Sequence, residues 1–152
     1  MLVREIATDG EIAMAFPLMQ ELRERIREDT FLAEVRRQQI EGYRLYGGFD
    51  GDRLVALAGV RRSHTLSRGE HLFVDDLVTT GPEQGRGHGK ALLSWLATRC
   101  TAEGIPRIYL DSRLTAKGFY ERVGFTFLTS IPGWIEPGDL AERAPAESAS
   151  PR

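Results

Sequence analysis

Hydrophobic positions along the chain follow helical spacing in some segments and strand spacing in others, which indicates a mixed α/β protein. Thr8 or Asp9 begins a predicted helix that runs toward Arg27, with apolar residues every three or four positions. A second short helix is predicted after Asp29 and Thr30. The pattern predicts further helices over 89–103 and 115–122, and strands over 2–6, 42–50, 53–64, 71–79, 107–111 and 124–131.

The order of these elements predicts how the sheet is connected. Asp50-Gly51-Asp52 joins two strands as a hairpin, and the later strand–helix–strand order indicates a right-handed parallel crossover. We therefore expect a twisted mixed sheet of about six strands with helices on both faces, within one domain over residues 1–135. Residues 136–152 are rich in Pro, Ala, Ser and charge and contain no aromatic residue, which predicts a disordered tail.

Composition excludes several classes of protein. The chain has 152 residues, a formal net charge of -2 and no basic stripe interleaved with aromatics, so we expect no nucleic-acid binding. No apolar run is long enough to cross a membrane, and the N-terminus does not resemble a signal peptide. Cys100 is the single cysteine, which fits a reducing compartment and predicts a cytoplasmic protein. The three histidines show no metal-ligand spacing, so no metal site is expected.

A glycine-rich loop, EQGRGHGKALL over 83–93, carries the clearest chemical signal in the sequence. Gly85, Gly87 and Gly89 allow positive φ and close approach of a ligand, and their N–H groups lie at the predicted start of a helix. Arg86 and Lys90 add positive charge. Such a loop suits a phosphate or pyrophosphate, although a plain strand–helix turn has the same local features.

Two nucleotide-binding motifs do not fit this loop. A P-loop requires glycine where Gln84 stands, and a Ser or Thr where Ala91 stands. The dinucleotide fingerprint G-x-G-x-x-G requires a third glycine where Lys90 or Leu92 stands. ATP and NAD are therefore disfavoured as ligands.

Two motifs resemble one known family. Gln84-x-x-Gly87-x-Gly89 resembles the acyl-CoA pyrophosphate loop of the GNAT superfamily of N-acetyltransferases, and AKGFYERVGF over 116–125 is similar to that family's C-terminal signature. The motifs occur in the family's order, and the resemblance extends from Leu2 to about Ile131. It implies the GNAT fold and acetyl-CoA as acyl donor. It also implies direct attack by a primary amine through a tetrahedral intermediate.

The resemblance also implies site residues. Tyr120 matches the tyrosine that serves as general acid toward the departing CoA sulfur. The backbone of Leu77, Val78 and Thr79 would pair with the pantetheine arm as an added strand does. The residues expected to wrap the pyrophosphate are Gln84, Gly85, Arg86, Gly87, His88, Gly89 and Lys90.

The general base is not matched by a family motif, because the glutamate that many relatives use would fall at Phe73. In an unbroken strand, Phe73, Asp75, Leu77 and Thr79 share one face, with Asp76 on the other. Asp75 is the candidate general base, acting directly or through water. Asp76, a chain of waters, and a purely structural pairing of either aspartate with loop N–H groups or an arginine are the alternatives.

The acceptor is a small-molecule or peptide amine that the sequence does not identify. In the family the first helical region and the loop after it border the acceptor site, which implies that residues near Phe16, Arg23, Tyr43 and Tyr46 shape acceptor choice. Arg113 stands where relatives often have an asparagine that contacts the cofactor. A non-catalytic CoA-binding or regulatory module is the alternative function. A homodimer is an open expectation, with the edge of the predicted strand 124–131 or Trp134 as candidate interface.

Overall fold

The structure, a computed structural model, describes residues 1–143. Its strands are β1 (Leu2–Glu5), β2 (Tyr43–Asp50), β3 (Arg53–Thr65), β4 (Gly69–Thr79) and β5 (Ile108–Leu110). Its α-helices are α1 (Asp9–Leu22), α2 (Glu28–Ile40), α3 (His88–Ala102), α4 (Lys117–Val123) and α5 (Pro137–Arg143). Short 3-10 turns lie at Gly81–Glu83 and Leu114–Ala116.

The five strands form one mixed sheet in the order β1-β2-β3-β4-β5. Neighbours from β1 to β4 are antiparallel, whereas β4 and β5 are parallel and are joined through α3. The meander and the parallel crossover are therefore confirmed, with five strands instead of about six.

The predicted strand over 124–131 is wrong. The alternation of Phe125 and Phe127 with polar residues is present, and both side chains are half-buried. A strand also needs a neighbouring strand with which to exchange backbone hydrogen bonds, and within 1–143 this segment is not part of the sheet. The proposed dimer contact through the edge of this strand therefore loses its basis, while the Trp134 side chain is exposed.

Helices cover both faces of the sheet. One face packs against α1 and α2 in a core that includes Phe16, Met19 and Phe31 from the helices and Leu45 and Leu57 from the strands. On the other face, the ring of Tyr46 lies 5.1 Å from that of Trp95 in α3. Val60 and Leu72 border the same small gap as Leu96 and Cys100 of α3 on this second face.

The ends of α1 position a loop beside β4. Thr8 begins the helix with a capping box, in which its hydroxyl accepts from the Glu11 N–H and the Glu11 carboxylate accepts from the Thr8 N–H. The helix ends at Leu22, earlier than the predicted Arg27, and Arg23 leaves helical geometry at φ -119° and ψ 79°. This early end directs the Arg23 side chain to β4.

The chain divides into two compact units, and the boundary follows Lys117. The first unit, Met1–Lys117, holds the whole sheet and α1 to α3, and the second begins at Gly118. The one-domain organisation over 1–135 stays a prediction. Within the segment predicted to be disordered, Pro137–Arg143 forms α5, and 144–152 lie outside the described residues.

Residues 1–143 contain neither a membrane-crossing helix nor a cluster suited to a metal ion. No helix within 1–143 is long and apolar enough to cross a membrane. In the same residues, no group of three or more His, Cys, Asp or Glu side chains is arranged to hold a metal ion.

Candidate functional site: a cavity beside β4 and a glycine loop

A β-bulge in β4 sets the positions of the two adjacent aspartates. Gly59 of β3 pairs with Asp76, and the next residue, Val60, pairs with Val74, so that Asp75 is an extra residue that the backbone register of β3 leaves unmatched. The expected alternation is therefore wrong across the bulge. Phe73 shares a face with Asp76, because their β3 partners, Arg61 and Gly59, both lie on the α1/α2 face of the sheet.

Both aspartates bind arginine side chains. Each oxygen of the Asp75 carboxylate accepts a hydrogen bond from Arg61, at 2.6 and 2.7 Å, and the Asp75 carbonyl accepts from Arg23 at 2.7 Å. Asp76 accepts from the Arg23 Nε at 2.9 Å and from the Tyr43 hydroxyl at 2.8 Å. Asp75 thus has the arginine pairing that was the structural alternative to a base.

Tyr43 is a buried residue that connects the core to Asp76. Its side chain is only 1% exposed, and its hydroxyl occupies the space that the missing side chain of Gly59 leaves, since a Cβ there would lie 1.8 Å from the Tyr43 oxygen. Burial raises the pKa of Tyr43 well above its usual value, and the charge and hydrogen bond of Asp76 raise it further. The phenol therefore remains a donor to Asp76 at neutral pH.

A cavity of about 710 Å³ opens beside this pair. Its apolar wall comes from α1, α2 and the loop between them, and Tyr43 and Asp76 line its sheet side. Arg113 also lines it and donates to the Leu22 carbonyl at 2.8 Å. Its lining residues are Met19, Leu22, Arg23, Glu24, Arg25, Ile26, Phe31, Glu34, Val35, Arg37, Gln38, Tyr43, Asp76 and Arg113.

The glycine loop forms the N-terminus of α3 with unused backbone donors. Gly85 and Gly87 have φ values of +83° and +84°, which favour glycine. Gly87 is the N-cap of the helix and has no side chain to cap it, and the first helical bond runs from the Ala91 N–H to the Gly87 carbonyl at 2.9 Å. The N–H groups of the intervening first turn therefore face out of the helix end, where the helix dipole favours an anion.

A buried carboxylate holds the side chains of this loop, which the sequence analysis missed. Glu83 is 5% exposed, and its carboxylate oxygens lie 3.2 Å from a side-chain nitrogen of each of Arg53, Arg86 and His88. Burial by itself raises the pKa of Glu83, but hydrogen bonds from His88 and Arg53 and the charge of Arg86 outweigh it, so that the pKa is lowered. Arg86 and His88, three and five residues after Glu83, were a signal that could have indicated this cluster.

The strand edge expected to receive the pantetheine arm has no strand partner within the described residues. Pairing of β4 with β5 covers only Leu72–Val74, and β5 ends at Leu110. On the side away from β3, Leu77, Val78 and Thr79 therefore pair with no strand of residues 1–143.

Tyr120 lies in the second unit, on α4. Its side chain is buried, and its ring contacts those of Phe119 and Phe125 edge-on at centroid distances of 5.0 and 5.6 Å. The helix ends at Val123, followed by Gly124 with a φ of +117°, and the N–H groups of Gly124 and Phe125 both donate to the Tyr120 carbonyl at 3.0 Å. The predicted motif thus forms a short helix with a glycine stop.

Comparison with known proteins identifies the family. Residues 12–125 match the model of the Acetyltransferase (GNAT) family. An uncharacterized N-acetyltransferase, YhdJ of Bacillus subtilis, is 32% identical over 129 residues, which cover 82% of this chain and 91% of the relative. The family uses acetyl-CoA as the acyl donor.

Solved structures share the fold at lower identity. A transcriptional regulator from Bacillus halodurans superposes with a TM-score of 0.71 at 23% identity, covering 89% of this chain and 97% of its own. Glucosamine-6-phosphate N-acetyltransferase from Arabidopsis thaliana superposes with a TM-score of 0.68 at 18% identity, and the match covers 89% of this chain and 98% of that enzyme. The predicted fold class is therefore confirmed, and the chain belongs to the GNAT acetyltransferase family as an acyltransferase.

Proposed function

We propose that this protein transfers the acetyl group of acetyl-CoA directly to a primary amine of a small-molecule or peptide acceptor. The observation that carries the proposal is the uncapped N-terminus of α3, which follows the unpaired edge of β4 in a chain of this family. The loop offers backbone donors for a pyrophosphate, and the strand edge offers donors and acceptors for the amides of a pantetheine arm.

The loop residues Gln84 to Lys90 would hold the pyrophosphate of CoA. The side chains of Arg86 and His88 contact the Glu83 carboxylate when no ligand is bound. To bind the pyrophosphate, they would have to contact it in addition to Glu83 or in place of it. Leu77, Val78 and Thr79 would hold the arm by their backbone, and an N–H there would polarise the thioester carbonyl.

The acceptor would occupy the cavity beside Asp76. Its nitrogen attacks the thioester carbon, the tetrahedral intermediate collapses with cleavage of the C–S bond, and the nitrogen loses a proton. Tyr120 would donate its hydroxyl proton to the departing sulfur. Asp75 remains the predicted base, but that role would require its pair with Arg61 to open, whereas Asp76 already lines the cavity.

Donor binding is the first test, by calorimetric titration of acetyl-CoA. Gly87→Glu places a side chain and a negative charge in the loop and should abolish binding. Gly104→Glu is the matched control, because Gly104 also has a positive φ, of +70°, and open space, but lies beyond the other end of α3. A folded wild-type protein that does not bind acetyl-CoA would refute the proposal.

Turnover separates an enzyme from a non-catalytic CoA-binding module. A panel of primary amines is incubated with acetyl-CoA, and release of CoA thiol is followed. Tyr120→Phe should lower kcat while acetyl-CoA binding is retained, and Asp75→Asn and Asp76→Asn should show which carboxylate controls the pH–rate profile. Donor binding without transfer to any amine would favour the module.

A further inference from the structure

Three of the four arginines that line the cavity beside Asp76 have no carboxylate partner within residues 1–143, unlike most other arginines of the first unit. Nine arginines elsewhere in Met1–Lys117 lie within salt-bridge distance of a carboxylate: Arg4, Arg27, Arg36, Arg44, Arg53, Arg61, Arg62, Arg86 and Arg99. Five in this unit have no such partner among residues 1–143, namely Arg25, Arg37, Arg68, Arg107 and Arg113. Three of these five, Arg25, Arg37 and Arg113, line the cavity.

The donors of these three side chains are largely unused. Arg25 and Arg37 make no hydrogen bond or ion pair with any residue of 1–143, and Arg113 donates only to the neutral Leu22 carbonyl. Arg23, the fourth arginine of the cavity, is neutralised by Asp76 at 2.9 Å. A guanidinium has five N–H donors in a fork that matches a carboxylate or a phosphate, so the three side chains retain strong capacity for an anion.

The other lining residues set further limits on a ligand. Glu24 and Glu34 are the remaining carboxylates and form no salt bridge within the described residues, so the unpaired groups leave the cavity with a small positive excess. Met19, Leu22, Ile26, Phe31 and Val35 supply an apolar wall. The cavity therefore suits a ligand with an apolar body and an anionic group, and Asp76 marks the side of the cavity nearest to β4.

We propose that the amine acceptor carries an anionic group, a carboxylate or a phosphate, which Arg25, Arg37 and Arg113 bind. This inference rests on the proposed function in taking the cavity as the acceptor site. The anion would lie away from the reacting amine, with the apolar part of the acceptor between them against α1 and α2. The three arginines would then select acceptors by charge and take no part in the transfer itself.

The phosphates of CoA are a competing source of the same anionic chemistry. The test is therefore made with CoA present at saturating concentration, so that any site for the donor's phosphates is already filled. An anion preference that disappears when CoA is added would assign the arginines to the donor and overturn the proposal.

The experiment measures binding of matched probes by calorimetry. The probes are 4-aminobutanoate, 6-aminohexanoate and 8-aminooctanoate, each with its neutral carboxamide, together with 5-aminopentylphosphonate and 1,6-diaminohexane. We expect at least one anionic probe to bind about tenfold more tightly than its neutral counterpart, because only the anion can form charge-assisted hydrogen bonds with the arginines. Carboxylate and phosphonate probes of similar length distinguish the two anions.

Variants connect this preference to the named residues. Arg25→Gln and Arg37→Gln are exposed changes that should preserve the fold and reduce the preference to about twofold or less, the level of a weak surface interaction. Arg107→Gln is the control, since Arg107 is also exposed and unpaired but does not line the cavity. Equal binding of anionic and neutral probes, tighter binding of the diamine, absence of binding by every anionic probe, or a preference unchanged in both cavity variants would overturn the proposal.

Transfer to the same probes distinguishes failure of this inference from failure of the proposed function. An anion preference without acetyl transfer would support the anion site and count against the amine acetyltransferase. Acetyl transfer to neutral and anionic probes with equal kcat/KM would support the enzyme and refute the anion selection.

Discussion

Replacement of Tyr43 by phenylalanine tests the link between the core and the cavity. Tyr43 is only 1% exposed, and the change removes its buried hydroxyl, which donates to the Asp76 carboxylate at 2.8 Å. A hydrogen bond to a charged group contributes about 1.5–3 kcal/mol, and Asp76 keeps its contact with Arg23, so we expect Tyr43→Phe to lower the free energy of unfolding by about 2 kcal/mol. In a chain of this size that corresponds to a midpoint about 4–8 °C lower.

The pH dependence of this loss follows from the raised pKa of Tyr43. Burial and Asp76 favour the neutral phenol in the folded protein, so its contribution to stability is complete below the unfolded pKa, near 10. Above that pH the unfolded chain releases the tyrosine proton while the folded protein retains it, and the wild type loses stability. Phenylalanine does not titrate, so the difference between wild type and variant should be constant below about pH 9 and should shrink toward pH 11.

The assay is urea unfolding of both proteins at pH 8 and pH 11, followed by circular dichroism. Tyr109→Phe is the control, because the Tyr109 ring contacts His71 and Arg68 while its hydroxyl makes no hydrogen bond within residues 1–143. A Tyr43→Phe variant within about 0.5 kcal/mol of wild type at pH 8 would contradict the hydrogen-bond argument. A difference that does not shrink at pH 11 would contradict the argument from the pKa.

Three further outcomes are expected. Gly59→Ala should lower the free energy of unfolding by about 1–3 kcal/mol, because its Cβ would lie 1.8 Å from the Tyr43 oxygen, and an unchanged thermal midpoint would show that the strand adjusts freely. Glu83→Gln should destabilise the protein at pH 7, and this destabilisation should fade as the pH drops through the lowered pKa of Glu83, because protonation removes the charge that the folded protein stabilises. Thermal midpoints that the variant lowers equally at pH 3 and pH 7 would refute this. Burial raises the pKa of the Cys100 thiol, so Ellman's reagent should react with it slowly in the native protein and fully in denaturant, and a rapid native reaction at pH 8 would contradict its burial.

Local patterns predicted the first unit well because they depend on neighbouring residues. The Asp50-Gly51-Asp52 hairpin, the start of α1 at Thr8 and the glycine loop before α3 each rest on a few consecutive residues. The cavity was not predictable in this way. Arg37 and Arg113 lie far apart in sequence but line the same cavity, and Arg113 is held there by its hydrogen bond to the carbonyl of Leu22, where α1 ends.

The failed strand over 124–131 shows the limit of alternation as a signal. Phe125 and Phe127 alternate with polar residues, so their side chains would lie on one side of an extended segment, and this much the sequence encodes. A strand is completed by a partner, and the availability of a partner depends on the whole topology. The three-residue β5 falls within the predicted strand over 107–111, and among the described residues the sheet ends there.

The bulge at Asp75 could have been inferred from an energetic inconsistency in the sequence. In an unbroken strand, Asp76 would lie on the same face as Leu72 and Val74, both of which pack on the α3 side. An unpaired carboxylate there is costly, and α3 presents mainly apolar residues to the sheet. One extra residue moves Asp76 to the face of Tyr43, where it has two donors, and leaves Leu72, Val74 and Leu77 on the α3 face. Two adjacent aspartates inside an apolar strand therefore indicate a change of register, and the same change places Asp76 in the cavity.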